Sequence, residues 1–132
     1  MSISPTGHPS GINKTKLEFL LRNTLSGTWS VYLEILRMFL DDGPRSLRTI
    51  EDAWQDQELD TVIDVSHRLR SNALNIGADR FAWLCSRIEE LGRAGNWSQH
   101  NELVSDLRTE CICVISALRI EIANAEKQSE AA

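Results

Sequence analysis

The chain has 132 residues, is 42% hydrophobic and 25% charged, and carries a formal net charge of −5. That is one domain, with enough apolar side chains to build its own core. The acidic balance argues against a general nucleic-acid binder, and no apolar run approaches the roughly 18 residues of a membrane span.

Taken in order, residues 1–13 are small, polar and rich in Gly and Pro, the composition of a disordered lead. His8 falls within it and takes no role. There is no charged-then-apolar secretory signal, so a cytoplasmic location is the default. Thr15-Lys-Leu-Glu18 is a capping-box pattern that opens a short helix, with Leu17, Leu20 and Leu21 on one side. Ser26-Gly27-Thr28 breaks it. A second helix is expected over residues 29–41, with Tyr32, Ile35, Leu36, Phe39 and Leu40 at core spacing. Asp42-Gly43-Pro44 should end it, Pro44 suiting the first turn of a third helix that runs to about residue 55. Leu47, Ile50 and Trp54 point inward there.

A fourth helix is expected over residues 58–76. Leu59, Val62, Val65, Leu69, Ala73 and Ile76 share one arc of its wheel at about 100° per residue, and Gly77 closes it as a C′ residue. A fifth, over residues 78–93, buries Phe81, Leu84, Cys85, Ile88 and Leu91. Asn96-Trp-Ser-Gln99 is a second capping box, opening a long final helix with Val104, Leu107, Cys111, Val114, Leu118 and Ala125 near heptad spacing. Residues 127–132 should fray. Long helices with short connections make an all-α, antiparallel up-down four-helix bundle the simplest topology. It spans residues 14–126, with the short extra N-terminal helix over one end.

The three cysteines form no framework. Cys111 and Cys113 point about 200° apart on a helix, so Cys85 and Cys111 read as core and Cys113 as outward-facing. No two of His8, His67, His100 and the cysteines share ligand spacing, which argues against a zinc site. The four tryptophans (Trp29, Trp54, Trp83 and Trp97) read as packing rather than as a base-stacking surface.

His67 has the suggestive setting. It lies at the border of the apolar arc, with Asp64 and Ser71 one turn either way and Arg70 also one turn on. A histidine so placed is firmly held while its outer nitrogen stays wet, as a nucleophilic or phosphate-carrying imidazole requires. Between residues 67 and 93 five arginines (Arg68, Arg70, Arg80, Arg87, Arg93) face three acids (Asp79, Glu89, Glu90), a reversal of the overall charge. Alone, such a histidine is ordinarily structural and such arginines a solvated face. There is no catalytic triad, glycine-rich phosphate loop, kinase signature or Asp-rich magnesium site. Phosphate on His67 must therefore come from another protein and not from ATP.

His67-x-Leu69-Arg70-Ser71, then Gly77 and Ala78-Asp-Arg80-Phe-Ala-Trp-Leu-Cys-Ser-Arg-Ile-Glu89-Glu-Leu-Gly-Arg93, resembles a histidine-containing phosphotransfer (HPt) domain. These domains are the four-helix-bundle carriers of multistep two-component phosphorelays. Tyr32-Leu-Glu-Ile-Leu-Arg-Met-Phe-Leu-Asp41 is similar to the family's preceding helix, so the likeness covers residues 25–125. The family motif is His-x-Leu-Lys-Gly; here Arg70 keeps the lysine's charge and Ser71 adds a small side chain in place of glycine.

The resemblance implies that His67 accepts the phosphoryl group of a receiver-domain aspartyl phosphate and passes it to another receiver. Arg70 would compensate the phosphate charge, with Arg93 reaching the same region. Glu89 would accept a hydrogen bond from the inner ring nitrogen and orient the imidazole. No cofactor or metal belongs to this chain; magnesium is expected on the partner receiver domain. The partners implied are a response-regulator receiver domain and a hybrid histidine kinase. On the helix itself, Asp64, Ser71, Leu74, Asn75 and Ala78 flank His67 and form the expected landing surface of a monomeric carrier. The alternative is a non-catalytic HPt-like helical interaction module that docks a signalling protein.

Overall fold

The computed structural model describes residues 9–23, 29–96 and 100–131. They form α1 (Lys14–Asn23), α2 (Trp29–Gln55), α3 (Leu59–Asn75), α4 (Asp79–Ala94) and α5 (His100–Ala131). α2 to α5 make an antiparallel up-down four-helix bundle, each packed on the next, with α5 closing the ring against α2. α1 is the short extra helix. Leu36, Ile50, Val62, Leu69, Phe81, Leu84, Ile88, Leu107, Val114 and Leu118 are at most 1% exposed. Each such side chain contributes roughly 1.5–3 kcal/mol on leaving water. No helix among the described residues is long and apolar enough to cross a membrane.

The expected break at Asp42-Gly43-Pro44 is absent. α2 runs unbroken for 27 residues with Pro44 inside it. An interior proline loses a helical hydrogen bond and crowds the carbonyl four residues back, at about 3 kcal/mol. Continuous burial outweighs that cost. Tyr32, Leu36, Phe39, Gly43, Ser46, Leu47, Ile50 and Trp54 lie in phase along one stripe across the proline. Gly43 stays because a β-carbon there would sit 2.9 Å from the Phe39 ring.

Three boundaries also differ from expectation. α1 is capped by Asn13, whose Oδ1 accepts from the Lys16 N–H at 3.3 Å, so Thr15 lies within the helix. α5 continues past residue 126 to Ala131, its last part tied to α2 by an Arg37–Glu126 ion pair of 3.2 Å. Residues 9–13, in the lead expected to be disordered, contact the bundle. Ser10 Oγ and the Gly11 N–H donate to the two oxygens of Glu110 at 2.6 and 2.8 Å. Glu110 is only 3% exposed, and Arg80 also lies 3.5 Å from it, so the buried charge has partners on each side. His8, Ser26-Gly27-Thr28 and the Trp97-Ser-Gln99 part of the second capping box lie outside the described residues.

The α3–α4 turn positions the site. Gly77 takes φ 75°, its N–H reaches Leu74 O at 3.2 Å and the Ala78 N–H reaches Ala73 O at 2.9 Å. This is the Schellman arrangement. The Gly77 carbonyl accepts from Asn13 N–H at 2.8 Å, and a β-carbon at Gly77 would lie 2.9 Å from Asn13 O. Gly77 is thus required twice, for its φ and for the close pass of the chain leading into α1.

Cys85 and Cys111 are buried and Cys113 is exposed. Burial pushes the Cys85 thiol far up and the Cys111 thiol up to about 11, so neither forms thiolate near neutrality. Native alkylation followed by mass spectrometry should therefore modify Cys113 and spare the other two until the protein is denatured.

Candidate functional site

The site is set by how closely α3 and α4 approach. A β-carbon at Gly92 would lie 3.3 Å from Val62 Cγ1 and 3.4 Å from Ile63 Cγ1, so the bare glycine lets the two backbones come together. The helices are antiparallel. One turn onward from Ile63 is His67, one turn back from Gly92 is Glu89, and these two face each other.

His67 Nδ1 and Glu89 Oε1 are 3.2 Å apart. The His67 side chain is 54% exposed and that of Glu89 only 13%. A carboxylate has no proton to donate, so in the neutral ring Nδ1 carries the hydrogen and Nε2 keeps its lone pair. The second carboxylate oxygen is held by Arg93, whose Nε and Nη2 donate to Oε2 at 3.1 and 2.8 Å. Burial pushes the Glu89 carboxyl up, but the hydrogen bonds from Arg93 and His67 outweigh it and hold it below 4.5. Glu89 is therefore ionised at neutral pH. Its depressed value places the stabilising effect above about pH 4.5, to be lost as the pH falls through the lower folded value.

Arg93, expected to reach the region of the phosphate, is instead ion-paired with Glu89. Arg93→Ala should cost no more than about 1 kcal/mol of stability, since the i,i+4 pair is exposed at Arg93 although covered at Glu89. It should nonetheless reduce the fraction of His67 in the Nδ1–H tautomer, read from ring ¹⁵N chemical shifts. An unchanged tautomer ratio would show that Glu89 needs no help.

Arg70 stands apart from the other arginines of this region. Arg68, Arg80, Arg87 and Arg93 are each ion-paired, to Asp42, Glu110, Glu90 and Glu89. No carboxylate among the described residues pairs with Arg70, and its buried Nε has no hydrogen-bond partner. Its charge is felt at Cys85 of α4, as is that of Glu89. Arg70 is half-buried and follows His67 by one turn on α3. A partly desolvated, uncompensated cation favours an anion beside it.

Asp64, Ser71, Leu74 and Asn75 are exposed on α3 or at its end, Leu74 at 46%. Ser71 Oγ donates back to the His67 carbonyl at 3.4 Å, so its hydroxyl lies along its own helix. Ala78 is a correction. It is 0% exposed, because it is the N-cap of α4 and its own N–H is tied into the end of α3. It cannot meet a partner. A groove of about 650 Å³ beside α3, lined by Leu20, Ile35, Met38, Asn72, Asn75 and Ile76, went unread in the sequence. Its one local signal was Met38, off the apolar stripe of α2 and 63% exposed.

The family model of the Hpt domain matches residues 34–128. Among solved structures, the chain is similar to the crystal structure of histidine-containing phosphotransfer protein B (HptB) from Pseudomonas aeruginosa PAO1. The TM-score is 0.77 at 21% identity, over 86% of this chain and 95% of that one. At that identity the likeness speaks for the fold. A comparison with curated proteins finds no match.

Proposed function

Since the chain belongs to the Hpt domain family, we propose that it is a cytoplasmic phosphorelay carrier with His67 as its phosphoacceptor. The observation that carries this reading is the 3.2 Å contact of His67 Nδ1 with Glu89, on a half-exposed imidazole. With the proton on Nδ1, Nε2 keeps its lone pair, one turn along α3 from the unpaired Arg70.

The chemistry follows from that placement. The Nε2 lone pair attacks phosphorus of a receiver's aspartyl phosphate in line. The N–P bond forms as the P–O bond to the aspartate breaks, and the aspartate carboxylate leaves with the electron pair. Because Nδ1 keeps its proton, the product ring is cationic, and the Glu89 carboxylate stabilises it. Arg70 offsets the charge arriving on the phosphoryl oxygens. The donor is already an activated acyl phosphate, so placement and charge compensation suffice. Reversal delivers the group to a second receiver.

Asp64, Ser71, Leu74 and Asn75, with the neighbouring groove at Met38, form the landing surface for response-regulator receivers, including that of a hybrid histidine kinase. Magnesium is supplied by the receiver. The test is to mix the chain with a phosphorylated receiver and follow phosphate into an acid-labile, base-stable adduct. Docking without any such adduct would favour the non-catalytic interaction module instead.

A further inference from the structure

On the side of the bundle opposite the α3–α4 face, α2 and α5 enclose a second groove of about 540 Å³. Its floor includes Pro44, Leu47 and Ile115, and its rim carries Arg48, Arg108 and Arg119 against the single acid Glu51. Arg108 is ion-paired to Glu51. Arg48 and Arg119 are exposed and have no ion-pair partner among the described residues. Between them on α5, Ile112 is 64% exposed. A chain of net charge −5 thus bears a cationic rim around an apolar surface on its far side.

The geometry has a length and a spacing. The Glu51–Arg108 pair sets the antiparallel register, so Arg48 stands about level with Cys111 of α5. Arg119 is two turns further along, roughly 12 Å at 1.5 Å per residue. We propose that this groove holds an acidic amphipathic helix of a partner protein. The helix would lay its apolar side on Leu47, Ile112 and Ile115 and bring two carboxylates, two turns apart, to Arg48 and Arg119.

Charge selects that occupant. A second copy of the chain, packed through the same patch, would set the cationic rim against itself. Residues 1–8, 24–28, 97–99 and 132, which lie outside the described ones, contain no acidic residue to offer. A helix suits a trough between two helices better than an extended strand, because the described residues offer no sheet edge to pair with it. Since α2–α5 and α3–α4 are opposite faces, such a partner stays bound while His67 exchanges phosphate. The proposal does not depend on His67 carrying phosphate.

The test uses the whole chain and two designed peptides of about four turns. Both have leucines at i, i+3 and i+7; one carries glutamates two turns apart and its twin carries lysines there. Fluorescence anisotropy should show saturable binding of the acidic peptide and none of the twin. Amide NMR shifts should centre on Leu47, Ile112 and Ile115 and leave His67 still. Arg48→Glu with Arg119→Glu, both on exposed sites, should weaken binding about tenfold or more while circular dichroism stays unchanged. The idea is overturned by any of five results, of which four concern the peptides and the chain itself. These are no saturable binding up to about 1 mM, equal binding of the lysine twin, shifts confined to α3 and α4, or a groove already closed in a homodimer by sedimentation equilibrium. Arginine-dependent co-sedimentation with phosphatidylglycerol vesicles but no peptide binding would assign the patch to a membrane and equally overturn it.

Discussion

His67→Gln should reduce phosphate incorporation from a phosphorylated receiver to background while leaving the helical circular dichroism unchanged. The reasoning separates chemistry from packing. The imidazole is half-exposed, so its replacement opens no cavity, and glutamine is at least as good a helix former. The glutamine amide can still donate to Glu89, so the α3–α4 contact survives. What disappears is the lone pair, because an amide nitrogen shares its own with the carbonyl and does not attack phosphorus. Stability should move by no more than about 0.5 kcal/mol, as for surface substitutions generally. Undiminished labelling of the variant would place the phosphate elsewhere, with His8 and His100 the remaining histidines.

Arg70→Ala should lower the transfer rate or the phosphohistidine lifetime by roughly tenfold. A charge-assisted hydrogen bond is worth about 1.5–3 kcal/mol before screening, and partial exposure reduces it. Tenfold corresponds to about 1.4 kcal/mol. Raising salt should shrink the difference, and Arg70→Lys should retain most function because it keeps the charge. The structure adds a second expectation. Arg70 leaves a buried Nε without a partner, so removing it should not destabilise the bundle, even though transfer suffers. Ser71→Gly is the contrasting variant. If Ser71 acts by size alone, the change should speed transfer independently of salt, despite a helix-propensity loss of about 0.5 kcal/mol. If Arg70→Ala transfers at the parent rate in low salt, Arg70 is an ordinary solvated arginine.

Much of the bundle was legible because helical periodicity reports burial directly. Leu36, Ile50, Leu69, Phe81 and Leu118 are core both by spacing and by exposure. Pro44 misled because a local breaker was weighed without its tertiary context. The stripe from Tyr32 to Trp54 keeps phase across it, and that phase was the better guide. Ala78 misled for a related reason, since a wheel assigns a side to every residue but does not show that a cap is folded under its neighbour. The pairing of His67 with Glu89 was implied only by family resemblance, because a contact between two helices depends on their register and on the close approach at Gly92. Likewise, which of five arginines stays unpaired depends in part on acids of other helices, since Asp42 and Glu110 take Arg68 and Arg80 while Arg87 and Arg93 pair within α4. The sequence shows the excess charge, and only the fold distributes it.

The most direct test of the account is long-range ¹H–¹⁵N NMR of the His67 ring before and after phosphorylation by a receiver. The predicted result is a neutral Nδ1–H tautomer in the free protein, and a phosphorylated Nε2 with Nδ1 still protonated in the product. Phosphate on Nδ1, or a free protein whose proton sits on Nε2, would contradict the role assigned to Glu89 and with it the mechanism.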